Sequence, residues 1–355
     1  MKSSQFLELK QKLLEISHLN TALALLNWDQ EVNMPSKGSD ARAMTMAELS
    51  ALTHTKLLAL NDDKLLATLK KQVDTKKIKG NDAIVILETW KLYERESKLP
   101  ESFVREMTEL TSKAQTVWAQ ARRNNDFKLF LPWLSKIVTL KRREAEYVGY
   151  IGSPYDALID MYEPGMTADE ASKILNDLKQ FLVPFLAKIN ASKKKTINAK
   201  RIKGTFPIDE QRAFNTMLIE KMGFDLEAGR IDTTTHPFAT SMHPHDVRIT
   251  SRYSTEDLFY SLGSTIHEAG HGLYEQGLRV EHFGTPLGEA ISLGIHESQS
   301  RMWENIIGKS GPFWKYFYPK LQKAFPKPYK TISFEDFYSI INKVSPSLIR
   351  TEADE

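Results

Sequence analysis

The chain of 355 residues carries 48 lysines and arginines against 45 acidic side chains, a net charge of +3, with 41% hydrophobic residues and no cysteine. That length allows one large core or two lobes, and the balanced charge leaves no reason to invoke nucleic acid or a membrane surface. The lack of cysteine excludes disulfides and thiolate metal ligands and fits a reducing cytoplasm, and the N-terminus leads into an amphipathic pattern with no signal peptide or membrane-length apolar run expected.

In chain order, Phe6, Leu9, Leu13, Ile16, Leu19, Leu23 and Leu26 recur at helical spacing and predict a helix over residues 4–27. Trp28-Asp29-Gln30 follows, and Met34-Pro35 with a Ser/Gly/Asp cluster ends it. Residues 41–60 read as a second helix and 62–79 as a Lys/Asp-rich helix or loop. Residues 82–97 and 101–123 read as amphipathic helices parted by Pro100, and 127–150 as another. A purely structural helical array would read the same, so this half says little about function.

Turns follow at 152–156 and 163–167, with Thr167 placed to cap a helix over 168–190. The run Lys193-Lys194-Lys195 with Lys200, Arg201 and Lys203 reads as a solvated loop. Pro207 and Asp209 open a helix through Met222 that Gly223 ends. Residues 231–253 change character: Ile231, Val247, Ile249, Thr250 and Tyr253 are strand formers, and a small antiparallel sheet is expected there. Ser254 or Thr255 would cap the helix that comes next.

That helix contains His267-Glu268-Ala269-Gly270-His271. Side chains at i and i+4 share a helix face, so His267 and His271 can hold one metal ion with two imidazole nitrogens. Glu268 lies about 100° around the helix, where a carboxylate can take a proton from an attacking water. Leu258, Phe259, Leu262, Ile266, Ala269 and Leu273 recur at helical spacing, so the helix is expected to be buried rather than a surface helix with two stray histidines. After a break at 283–288, a second helix is expected from Glu289 to about Ile307. Catalytic zinc commonly keeps three protein ligands, and Glu297 is the candidate third; Glu289, Glu304 and His296 on the same stretch are its rivals by spacing.

An ordered set of motifs resembles the carboxypeptidase Taq family of zinc metallocarboxypeptidases. They are His236-Pro237-Phe238, Asp246-x-Arg248-x-Thr250, His267-Glu268-Ala269-Gly270-His271, His296-Glu297-Ser298-Gln299 and Ile349-Arg350-x-x-Ala353-Asp354. Trp28-Asp29-Gln30, the stretch at 162–167 and Gly223-Phe224-Asp225 also match. The resemblance covers essentially the whole chain. It implies a mainly α, helical deep-cleft zincin-like fold, with the small antiparallel β element beside the metal helix. It implies a single metallopeptidase domain over 1–355, two-lobed around a narrow groove. It also implies homodimers in the full-length form and stepwise removal of C-terminal residues from peptides with broad specificity. It selects Glu297 as third ligand to zinc, or to cobalt in its place. A further family motif, Gly-x-x-Gln-Asp-x-His-Trp, is absent, so the chain is expected to lack a C-terminal helical segment, with consequences for activity.

The expected chemistry is hydrolysis with Glu268 as general base. Arg248 and Arg350 are candidates to bind the substrate's terminal carboxylate, and His236 to donate a hydrogen bond to substrate or oxyanion. The bland counterparts are an Arg248–Asp246 ion pair and a satisfied turn histidine. Alternatives are an endopeptidase or dipeptidase on the same fold, or a non-catalytic binding module with a zincin shell.

Overall fold

The computed structural model describes residues 4–192, 202 and 204–344. Most of the basic run at 193–203 and the whole motif around Arg350 lie outside the described residues. The chain divides into two compact units, one of residues 1–170, 241–244 and 277–293, the other of 171–240, 245–276 and 294–355.

The first unit is a helical array: α1 (Ser4–Val32), α2 (Ser39–Leu58), α3 (Leu65–Asp74), α4 (Gly80–Glu96), α5 (Glu101–Asn124), α6 (Phe127–Val148) and the single turn α7 (Asp156–Ile159). Phe6, Leu9, Leu13 and Ile16 form the buried stripe of α1 and meet Leu66, Leu69, Val85 and Ile86 in one apolar core. The Trp28-Asp29-Gln30 stretch does structural work. Asp29 accepts from Arg42 Nη2 at 2.5 Å, and Gln30 exchanges two hydrogen bonds with Ser112 of α5, at 2.9 and 2.7 Å. Helix α8 (Ala168–Asn190), counted with the second unit from Ala171 on, begins as predicted. Thr167 Oγ1 accepts from the Glu170 N–H at 3.2 Å while the Glu170 carboxylate accepts from the Thr167 N–H at 3.0 Å, a reciprocal capping box. No side chain of α8 is buried, although Ile174, Leu178, Phe181, Phe185 and Ile189 line up at helical spacing.

The second unit holds α9 (Ile208–Met222), the strands β1 (Gly229–Thr233) and β3 (Asp246–Ser251) of a three-stranded sheet, and α10 (Phe259–Gln276); of the remaining strand, β2 (Ala239–His243), residues 241–243 are counted with the first unit. It continues through α11 (Leu293–Arg301), a π-helical turn at Met302–Ile307, α12 (Gly311–Ala324), α13 (Pro326–Tyr329) and α14 (Phe334–Ile341). Sheet order is β1-β3-β2. The sheet is mixed rather than wholly antiparallel: β1 runs parallel to β3, from Gly229↔Val247 to Thr233↔Ser251. Only the two-residue link Pro244-His245 joins β2 to β3, a connection too short for a parallel neighbour. Strand propensity marks residues that suit a sheet but carries no information on pairing direction, which is why sequence could not separate these cases. Val247, Ile249, Thr250 and Ser251 are all buried, as a central strand requires.

Leu262, Ile266 and Ala269 bury the inner face of α10, with Leu258 just before it, among Val247, Ile249, Leu218, Ile219, Trp314 and Phe317. Beside this core runs a buried polar ladder. Gln211 Nε2 donates to the Phe206 and Ser254 carbonyls, both at 2.7 Å, and Ser261 Oγ donates to Gln211 Oε1 at 2.7 Å. Asn215 Nδ2 donates to Thr265 Oγ1 at 3.0 Å, and Thr265 donates to Ser251 Oγ at 2.9 Å. These bonds fix the rotation of α10 about its axis against α9 and β3. The helix starts later than Ser254 or Thr255: Asp257 Oδ1 accepts from the Phe259 N–H at 2.9 Å, while Ser254 accepts from the Glu256 N–H. Among the described residues, no helix is long and apolar enough to cross a membrane.

Candidate metal centre

Three ligand atoms converge in the second unit. One atom from each of His267, His271 and Glu297 lies within 4.8 Å of the others. Glu297 Oε2 stands 3.5 Å from His267 Nε2 and 3.1 Å from His271 Nε2. The histidines come from consecutive turns of α10 and the carboxylate from α11. Gly270 lets the two elements approach: a Cβ there would sit 2.6 Å from Ser300 Cα and 2.9 Å from the Gln299 carbonyl oxygen. The motif therefore needs glycine between its glutamate and second histidine for a packing reason.

Each ligand is held by a further group. His267 Nδ1 lies 2.8 Å from Glu304 Oε2. His271 Nδ1 lies 2.5 Å from His296 Nδ1, and His296 Nε2 lies 2.7 Å from Glu275 Oε1. Arg301 Nε donates to Glu297 Oε1 at 3.0 Å, and Ser300 Oγ donates to Glu297 Oε2 at 3.0 Å. Such contacts orient ligand side chains before any ion arrives. Met302–Ile307 places Glu304 on a π turn, where the Gly308 N–H donates to the Trp303 carbonyl at 2.7 Å.

The electrostatics fit a cation. Burial disfavours charge on His267, but Glu297 and Glu304 outweigh it and raise the His267 pKa to about 10. Burial alone would raise Glu297 as well, yet its hydrogen bonds with His267 and His271 hold the carboxyl well below the usual carboxylate range. Glu268 is 5% exposed, and burial pushes its pKa up to about 8, with Glu297 and Glu304 adding to the rise. His271 is lowered, first by burial. Four carboxylates and one guanidinium thus share the site with three imidazoles, and the excess negative charge is met by held protons. A divalent cation on two imidazole nitrogens and one carboxylate oxygen would displace those protons, and this donor set suits zinc.

The rivals for third ligand are accounted for. Glu289 precedes α11 in extended backbone instead of opening a helix, because the break at 283–288 runs on to Leu293. Glu304 and His296 each contact a histidine through its Nδ1, leaving the Nε2 side to Glu297. Sequence reading passed over Glu275, Ser300 and Arg301. The signal existed: Glu275 repeats the spacing of His267 and His271 by one more turn, and Arg301 follows Glu297 at i+4.

Two of the proposed substrate contacts lie outside this cluster. Arg248 on β3 makes a two-pronged pair with Asp246, at 2.9 and 3.0 Å. His236 is half-buried in the loop before β2. The motifs that contain them are tied together: Thr250 Oγ1 accepts from the Phe238 N–H at 2.8 Å and donates to the Phe238 carbonyl at 3.0 Å. Arg350 is outside the described residues.

Comparison with known proteins places the chain in a family. The family model for carboxypeptidase Taq (M32) metallopeptidases matches residues 8–355. Thermostable carboxypeptidase 1 of Thermus thermophilus is 40% identical over 353 residues, which covers 96% of this chain and 68% of the relative. Carboxypeptidase 1 of Bacillus subtilis is 37% identical over 343 residues, covering 97% of this chain and 68% of the relative. The BsuCP crystal structure superposes with a TM-score of 0.95 at 36% identity, over 99% of this chain and 70% of that one.

Proposed function

This chain belongs to the carboxypeptidase Taq (M32) family and is a metallocarboxypeptidase, and from that premise we propose that it removes C-terminal residues from peptides using one zinc ion held by His267, His271 and Glu297. The observation that carries the assignment is the convergence of His267 Nε2, His271 Nε2 and Glu297 Oε2, each braced by another side chain. A divalent ion there, zinc or cobalt, would polarise the scissile carbonyl and ease deprotonation of the attacking water. Glu268 receives that proton and later hands one to the leaving amine. Its burial supports this: a carboxylate held near the neutral–ionised boundary both accepts and returns a proton readily. Arg248 and Arg350 receive the substrate's terminal carboxylate, and His236 donates to substrate or to the oxyanion. Broad residue preference, a cytoplasmic location and a homodimer complete the reading.

The test compares zinc content and hydrolysis of an N-blocked dipeptide in the wild type and Glu268→Gln. The variant should keep zinc, since Glu268 is not a ligand, and lose roughly two to four orders of magnitude in kcat. Turnover near that of the wild type would remove Glu268 from the mechanism.

A further inference from the structure

His271 differs from His267 in how it is braced. His267 meets the Glu304 carboxylate directly, at 2.8 Å. His271 meets another imidazole, and only through it a carboxylate. The His271 and His296 ring centres are 4.6 Å apart with planes tilted by 28°. That separation, with the two Nδ1 atoms 2.5 Å apart, is what two imidazoles need when they meet nitrogen to nitrogen in nearly one plane. The contact is edge to edge, aligned for a hydrogen bond. Tyr274 lies against His296, with ring centres 4.9 Å apart, and limits its rotation.

The direction of this chain follows from what each end can do. An ionised carboxylate only accepts, so Glu275 Oε1 requires a proton on His296 Nε2. In neutral His296 the other nitrogen, Nδ1, is then an acceptor. Its partner, His271 Nδ1, must therefore carry the proton, and His271 Nε2 keeps its lone pair, on the side where Glu297 Oε2 stands 3.1 Å away. Reversing either bond would put a proton on His271 Nε2 and block the ligand position.

We propose that Glu275 and His296 are positioning residues, a two-member relay that locks His271 in its Nδ1–H tautomer and aims its Nε2 at the metal ion. The inference rests on the ligand set proposed above. Neither residue touches substrate or ion; both act through His271.

The experiment measures Zn²⁺ affinity by chelator competition in the wild type and in His296→Ala, His296→Asn, Glu275→Ala and His267→Ala, with far-UV circular dichroism as the fold control. His296→Ala should weaken zinc roughly 10- to 100-fold, the usual cost of losing a ligand's supporting partner, and Glu275→Ala should weaken it less. His296→Asn restores an acceptor oxygen close to the position of Nδ1 and should recover most of the loss, which a bulk packing role would not produce. His267→Ala separates the two readings. If it loses zinc while His296→Ala binds as tightly as the wild type, the relay is wrong and the ligand set stands. If His267→Ala itself binds like the wild type, the ligand set is wrong. Should the alanine variants not fold, long-range ¹H–¹⁵N spectra of the wild type in mildly alkaline buffer decide: a proton on His271 Nδ1 upholds the relay, and one on Nε2 overturns it.

Discussion

As the proposed receptors of the substrate's carboxylate, Arg248 and Arg350 would separate an exopeptidase from an endopeptidase, because only the former needs a fixed cation for a free C-terminus. Arg248 is held on a buried central strand and braced by Asp246, so its head group is already oriented. Replacing Arg248 or Arg350 by alanine should cost roughly 2–5 kcal/mol of transition-state stabilisation on free-acid peptides and far less on amidated ones. Equal losses in kcat/KM on the two substrate types would make both arginines structural. A second residue-scale expectation concerns Glu31, whose pKa burial raises to about 7 despite a hydrogen bond with Gln115. Below the ordinary carboxyl value of 4.5 the group is protonated in both folded and unfolded chains and contributes nothing. Between there and about 7 the folded chain holds its proton longer, so stability falls as pH rises, and the full cost stands above that. Glu31→Gln should remove on the order of 2 kcal/mol of that loss, seen as a flatter Tm between about pH 5 and about pH 8. An unchanged slope would mean that burial does not govern this carboxyl. At this scale, sequence disclosed what is local to one helix. That His267 and His271 share a face was readable from their spacing, whereas which of Glu297, His296 and Glu304 stands at their Nε2 atoms turned on how α11 faces α10, which spacing does not encode.

Between elements, the decisive contact is α10 against the turn of chain at Gln299 and Ser300. Gly270→Ala sets two effects against each other. Alanine favours a helix interior by up to about 1 kcal/mol. Its Cβ, however, would meet backbone, 2.6 Å from Ser300 Cα, and backbone cannot rotate away as a side-chain tip can. Overpacking of this kind costs about 1–3 kcal/mol, so the net effect should be loss of stability. Because the same displacement moves Glu297 away from the histidines, zinc affinity should fall with it, measurable as a lower Tm together with a higher Kd. A variant with raised Tm and unchanged Kd would mean that the two helices are not in contact at this point. Most elements were legible because caps and apolar spacing are written locally, as in the Thr167–Glu170 box. The starts of α10 and α11 and the parallel β1–β3 pairing were not. Each depends on partners distant in sequence, such as the Gln211–Ser261 and Thr265–Ser251 bonds.

For the whole molecule, each unit has apolar core of its own among the described residues, and the chain spans 68% of the length of the Thermus thermophilus relative. The apolar spacing of α8 announced a helix correctly, but sequence gave no sign that Phe181 and Phe185 would stand exposed, at 64% and 49%. Periodicity shows which face is apolar and not whether anything covers it. The catalytic reading, in contrast, gathers into the second unit, where every brace of the three proposed ligands also lies. The most direct measurement is therefore a crystal of the zinc-loaded chain, with diffraction recorded on both sides of the zinc absorption edge. One anomalous peak should appear within about 2.0–2.2 Å of His267 Nε2, His271 Nε2 and a Glu297 carboxylate oxygen. A peak elsewhere, or one with Glu297 more than about 5 Å away, would contradict the site and the mechanism built on it.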